Sequence, residues 1–78
     1  MFTYQRLRHC REDNDYKQQY IGKLLGIDQR VYSNYETGKR QIPVNHLVEL
    51  ALLYGTSLDY LVGITDNPLP YERKRTKK

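Results

Sequence analysis

The sequence predicts an all-α domain, a compact set of five short helices joined by brief turns. Three observations carry this expectation. Apolar residues recur at helical spacing, most clearly Leu47, Leu50, Ala51 and Tyr54 at i, i+3, i+4 and i+7. Glycine follows three such stretches, at Gly26, Gly38 and Gly55, where a left-handed residue commonly closes a helix. No stretch alternates apolar and polar residues over the length of a strand.

The elements follow in order. Thr3–Asp13 sets Leu7 and Cys10 three residues apart among Arg6, Arg8 and Arg11, as a short amphipathic first helix requires. Asp13–Asp15, DND, is a turn cluster. The second helix begins near Gln18 and carries Ile21, Leu24 and Leu25 on its apolar side. Gly22 inside it costs about 1 kcal/mol of helix propensity relative to alanine, so a close backbone neighbour is expected there. Asp28 caps the third helix, with Ile27 and Tyr32 placed for a hydrophobic staple. Tyr32 and Tyr35 point inward, while the i,i+4 pairs Gln29/Ser33 and Arg30/Asn34 point outward. Ile42-Pro43 opens the fourth helix, with proline at the first helical position. Ser57 caps a fifth, carrying Leu58, Leu61 and Val62 inward and Asp59 near its positive end. The folded domain is expected over residues 1–68 and a basic tail over 69–78, whose segment Glu72–Lys78 is too charged and too poor in apolar residues to fold.

Composition narrows the function classes. Seventy-eight residues make one small domain. A single cysteine, Cys10, allows no internal disulfide and suits a reducing compartment. The opening MFTYQRLRHC has no apolar core of a secretory signal, and the longest apolar run, Leu50–Tyr54, is far short of a membrane span. A cytoplasmic protein is expected. His9 and His46 share no metal-ligand spacing with each other or with Cys10, which is expected to be buried and inert. Neither a nucleophile–base–orienter set nor paired carboxylates stand at usable positions, so no enzyme and no cofactor are expected.

The net charge of +4 is informative through its placement. Tyr71–Lys78 holds five bases and one acid, which leaves the remainder neutral. Within that remainder, Lys17–Arg40 carries five bases against two acids, and Pro43–Pro70 carries three acids and no base.

The second and third helices are joined by only Gly26–Asp28, the pattern of a helix-turn-helix whose second helix can enter the major groove of DNA. Polarity alone is equally consistent with a solvated outer face on that helix. The register of signals over Tyr16–Pro43, YKQQYIGKLLGIDQRVYSNYETGKRQIP, goes further. It resembles the Cro/lambda-repressor-like (xenobiotic-response-element type) helix-turn-helix family, and LVELALLYGTSLDYLVGITDNP resembles that family's fourth and fifth helices. The resemblance covers about residues 4–68 and rests on Gln18, Gly26, Tyr35-Glu36, Gly38, Ile42-Pro43 and Ser57-Leu58-Asp59 in register.

The resemblance implies that Gln18 binds a DNA phosphate, helped by the amides at the start of its helix. It implies that Gln29 and Arg30 enter the groove first, with Ser33 and Asn34 one turn later. Lys39 and Arg40 would anchor the next loop to the backbone, and Glu36 would pair with Arg11 for structural reasons. Two positions depart from the family pattern. Lys17 stands where a Thr or Ser cap is usual, which leaves that end to fray or borrow Asp15. Asp28 stands where Ser or Thr is commoner, and it sets an acid beside the phosphates unless it accepts from a cytosine amine.

Leu52, Leu53, Tyr60, Val62 and Ile64 exceed what one inward stripe requires. They suit a symmetric dimer formed near the fifth helix, as the family often makes. The expected function is therefore a double-stranded-DNA-binding transcriptional regulator, a phage or mobile-element type repressor acting as a homodimer on an inverted repeat. The alternatives are an antitoxin, with a toxin or antirepressor as protein partner, and an adaptor that binds proteins only.

Overall fold

Helix-period patterning and glycine stops produce five helices in the computed structural model, which describes residues 4–70. They are α1 (Gln5–Asp13), α2 (Gln18–Leu25), α3 (Gln29–Thr37), α4 (Val44–Tyr54) and α5 (Leu58–Val62). Among the described residues there is no strand. Thr3, where the first helix was expected to begin, and the expected unfolded segment Glu72–Lys78 lie outside the described residues.

The ends follow local chemistry. The Asp28 carboxylate accepts from the Arg30 amide at 2.8 Å, and the Ser57 hydroxyl accepts from the Tyr60 amide at 3.0 Å, so both expected caps form. Lys17 provides no side-chain cap for α2. Asp15, in a left-handed turn with φ 58°, makes no side-chain hydrogen bond to that end either. Pro43 stands one residue earlier than expected. Its ψ of 151° is extended, which makes it the cap rather than the first helical residue. Its carbonyl accepts from the His46 and Leu47 amides.

Leu7, Ile21, Leu25, Tyr32, Tyr35, Ile42, Leu47, Leu50, Ala51 and Leu61 form the buried core, to which every helix contributes. Leu24 was expected inward and is exposed. The buried arc of α2 is Ile21–Gly22–Leu25. At 100° per residue, including Gly22 swings the centre of that arc away from Leu24. Cys10 is half-buried rather than buried, and burial followed by the nearby Asp13 pushes its thiol up, away from the reactive thiolate.

α2 packs on α3, α1 lies against α3 and α5, and α5 lies against α4. Arg6 clamps α5 and the turn beyond it onto α1. Its guanidinium lies 4.1 Å from the Tyr60 ring centroid, donates to the Tyr60 carbonyl at 2.9 Å and to the Thr65 carbonyl, and meets the Asp66 carboxylate. This contact covers Tyr60, and Leu53 and Val62 are partly buried against the core, so these three leave the expected apolar excess. Leu52 and Ile64 stay exposed and are joined by Val44 and Val48. Val44, Val48 and Leu52 recur every fourth residue, so they form one stripe along α4. Val48, Ala51, Leu52 and Leu58 line a shallow groove of about 330 Å³ there. No helix among the described residues is long and apolar enough to cross a membrane.

Candidate nucleic-acid interface

The interface is built on the fixed angle between α2 and α3. Gly26 takes φ 73° at the turn, and the Ile27 amide returns to the Gly22 carbonyl at 2.9 Å. Gly22 provides the close approach expected of it. A Cβ at that position would stand 3.1 Å from the Ile27 carbonyl oxygen and 3.3 Å from the Gln29 Cα. The start of α3 therefore rests directly on the α2 backbone.

A buried ionic network locks the same two helices to α1. Arg11 Nε donates to Glu36 Oε2 at 2.7 Å and Nη2 donates to Oε1 at 3.1 Å, a bidentate pair between side chains only 13% and 3% exposed. Arg11 Nη1 also donates to the Tyr16 carbonyl at 2.9 Å, which holds the α1–α2 turn. Burial alone would push the Glu36 carboxyl up. The Arg11, Tyr32 and Gln18 side chains outweigh it and hold the carboxyl below its ordinary value. The buried Tyr32 hydroxyl lies near this carboxylate without reaching hydrogen-bond geometry, and its own ionisation is suppressed, first by burial and then by Glu36.

Gln18 belongs to this network, which the sequence reading did not foresee. Its Nε2 donates to Glu36 Oε1 at 3.0 Å. A carboxylate only accepts, so the amide nitrogen must be the atom facing it. The carbonyl oxygen and the second N–H of Gln18 remain for another partner.

The other sequence-predicted residues divide by exposure. Gln29, Arg30, Lys39 and Arg40 are exposed, whereas Ser33 and Asn34 are half-buried. Gln29 and Arg30 line a surface concavity of about 490 Å³ together with Gln19, Lys23, Ile27 and Asp28. Ser33 and Asn34 are not among its lining residues. The Arg40 amide donates to the Asn34 carbonyl at 3.2 Å, which folds the α3–α4 loop back onto the last turn of α3. Gln19 and Lys23 were missed. The signal for them was present, since they stand four apart on α2 and Lys23 is one of the bases concentrated between residues 17 and 40.

The cations are sorted by partner. All three arginines of α1 meet carboxylates: Arg6 with Asp66, Arg8 with Glu12 and Arg11 with Glu36. Among the described residues, Lys17, Lys23, Arg30, Lys39 and Arg40 form no ion pair. Among the described residues, the unpaired positive charge thus lies at the start of α2 and on it, on α3 and in the loop after α3. Among the described residues, no group of three His, Cys, Asp or Glu side chains is placed to hold a metal ion.

Comparison with known proteins agrees with this geometry. The helix-turn-helix family matches residues 7–61. The chain is 39% identical over 75 residues to the HTH-type transcriptional regulator YobD of Bacillus subtilis (strain 168), covering 95% of this chain and 67% of that protein. It is 36% identical over 58 residues to the SPbeta prophage-derived HTH-type transcriptional regulator YonR of the same strain, covering 74% and 54%. It is 38% identical over 58 residues to that strain's HTH-type transcriptional regulator AnsR, covering 74% and 50%. The chain therefore spans between half and two thirds of the length of these relatives. No solved structure gives a significant match.

Proposed function

We propose that this chain, which belongs to the Cro/lambda-repressor-like helix-turn-helix family, is a sequence-specific regulator of transcription that reads double-stranded DNA with α3. The observation that carries this reading is the sorting of charge. The network of α1 consumes its arginines internally, while the bases on α2, α3 and the following loop are left for an external polyanion. The DNA-binding unit on this reading is residues 1–68, followed by the basic tail 69–78.

Within this reading, Gln29 and Arg30 meet base edges. Arginine matches the O6/N7 edge of guanine, and glutamine matches the N6/N7 edge of adenine. Ser33 and Asn34, half-buried one turn later, reach bases or phosphates. Lys39 and Arg40 hold the backbone. Gln18 uses its uncommitted amide atoms on a phosphate while Glu36 fixes its direction. The chemistry is binding rather than catalysis.

A nine-residue reading helix is about 13.5 Å long and spans only a few base pairs. A second copy is what extends the site. We place the dimer contact on the exposed stripe Val44, Val48 and Leu52 with Ile64, in a complex that binds an inverted repeat with half-sites about 34–36 Å apart. Similarity to a prophage-derived regulator supports a phage or mobile-element type repressor.

Selection of bound duplexes from a random pool tests the reading, because motif, symmetry and spacing emerge together. A pool that never enriches, with binding that ignores salt, would favour the protein-only adaptor. An enriched palindrome bound by a monomer would leave the α4 stripe to a toxin or antirepressor.

A further inference from the structure

We propose that the segment beginning at Tyr71 docks in cis on the apolar groove between α4 and α5, with the Tyr71 ring as its anchor, and masks part of the face assigned above to the dimer. The docking stands independently of any DNA contact; only the masking rests on that dimer reading.

Anchorage is the first argument. Arg6 holds the Thr65 carbonyl and the Asp66 carboxylate on α1. The Asn67 amide donates to the Thr65 hydroxyl at 3.2 Å, and the Leu69 amide donates to Asn67 Oδ1 at 3.1 Å. Thr56, which lines the groove, then donates its hydroxyl to the Pro68 carbonyl. These bonds lead the chain from α1 to the edge of the groove. Tyr71 follows three residues later, a reach of about 10 Å. Val48 and Leu52, on the groove's α4 side, lie one turn apart, about 6 Å along the axis. A tether this short gives the ring an effective concentration of roughly millimolar, so even weak docking is populated.

Shape and charge supply the second and third arguments. Val48, Ala51, Leu52 and Leu58 wall a space of about 330 Å³, room for one aromatic ring. Leu69 does not fill it, being 69% exposed. A tyrosine suits a shallow groove, since its apolar body is covered while its hydroxyl stays wet. Asp59 lines the same groove. Between residues 43 and 70 stand Glu49, Asp59 and Asp66 and no lysine or arginine, whereas Arg73, Lys74, Arg75, Lys77 and Lys78 come directly behind the anchor. A basic segment thus leaves the fold beside an acidic face. Val48 and Leu52 belong both to the groove and to the exposed α4 stripe. A docked segment and a second copy therefore compete, and self-association falls with the fraction of chains that are docked.

The test is nuclear Overhauser spectroscopy on the isotope-labelled full chain at about 50 mM and 1 M salt. Cross-peaks should run from the Tyr71 ring to the methyls of Val48, Leu52 and Leu58, and weaken at high salt as the charges are screened. An isotope-filtered spectrum of mixed labelled and unlabelled chains should lack them. Tyr71→Ser should abolish docking and tighten self-association, measured by sedimentation, about 2- to 10-fold. A folded wild-type chain without these cross-peaks, or with them only between different copies, overturns docking in cis. Cross-peaks in cis with unchanged dimerisation in Tyr71→Ser overturn the masking. If wild type and Tyr71→Ser both stay monomeric while the cis cross-peaks are present, the dimer reading falls, and the masking with it, but the docking stands.

Discussion

Glu36→Gln isolates the charge that ties α1, α2 and α3 together. The carboxylate is almost fully buried, receives two bonds from Arg11 and one from Gln18, and sits against the Tyr32 hydroxyl. Glutamine has nearly the same shape but no charge, and its amide nitrogen must face a donor. Removing one partner of a buried pair costs about 3–5 kcal/mol, because the other charge is left uncompensated. We expect the lower end, about 3 kcal/mol, since glutamine retains one acceptor. A domain of this size has a total stability of about 4–12 kcal/mol. The loss should therefore lower the melting temperature by about 12–24 °C in a circular-dichroism melt near pH 7.

The pH dependence follows from the direction of the shift. Glu36 is held below its ordinary pKa in the folded state, so its contribution is fully present above the unfolded value of about 4.3 and is lost as pH falls through the lower, folded value. The stability gap between wild type and Glu36→Gln should be widest above about pH 5 and should narrow progressively as pH falls below about 4.3. Adding Arg11→Met to Glu36→Gln should recover part of the loss by removing the stranded guanidinium. A gap under about 1 kcal/mol near pH 7, or one that stays constant down to about pH 3, refutes the argument.

Three further outcomes are expected. Arg30→Ala should cost about 1–3 kcal/mol of binding and relax preference at one base pair, whereas Lys39→Ala should weaken all sequences alike and reduce the salt slope by about 1; competition binding against single-base operator variants separates the two. Asp28→Asn keeps a good cap, so stability in a thermal melt should stay within about 0.5 kcal/mol; removing the acid should tighten binding to mixed-sequence duplex, measured by anisotropy. Leu52→Glu puts a charge in the α4 stripe and should give a monomer by light scattering, with the domain's melt little changed.

The legible part of this fold was local. Asp28 and Ser57 cap because a short oxygen-bearing side chain before an apolar run has one best use there, and both appear in the sequence as such. Gly22 announced a close neighbour by standing where any other residue would make a better helix. Where the sequence misled, a tertiary contact decided. Leu24 has correct helical spacing, but the approach of α3 over Gly22 rotated it outward. Tyr60 looked like excess apolar surface until Arg6, more than fifty residues away in sequence, covered its ring. At the interface, Gln29, Arg30, Lys39 and Arg40 were legible as exposed polar positions. The second engagement of Gln18 was not, because it needs Glu36 of α3 beside the start of α2.

An acid at the mouth of the proposed DNA-reading surface would have a physical use. The Asp28 carboxylate is anchored by the cap bond to the Arg30 amide, and it faces the same concavity as Lys23 and Arg30. Its charge is favourable for the helix, since the N-terminus of α3 carries the positive end of the dipole. The same charge repels a phosphate, so the first turn of α3 disfavours the backbone and favours base edges. In the major groove, cytosine N4 and adenine N6 present donors that an acid can accept, while guanine presents acceptors to Arg30. On the proposed reading, Asp28 would discriminate chiefly by exclusion. Its removal should raise affinity for mixed-sequence DNA more than for the operator, so the ratio of specific to non-specific binding falls even as both tighten. A ratio that is unchanged or raised in Asp28→Asn would reduce Asp28 to a helix cap.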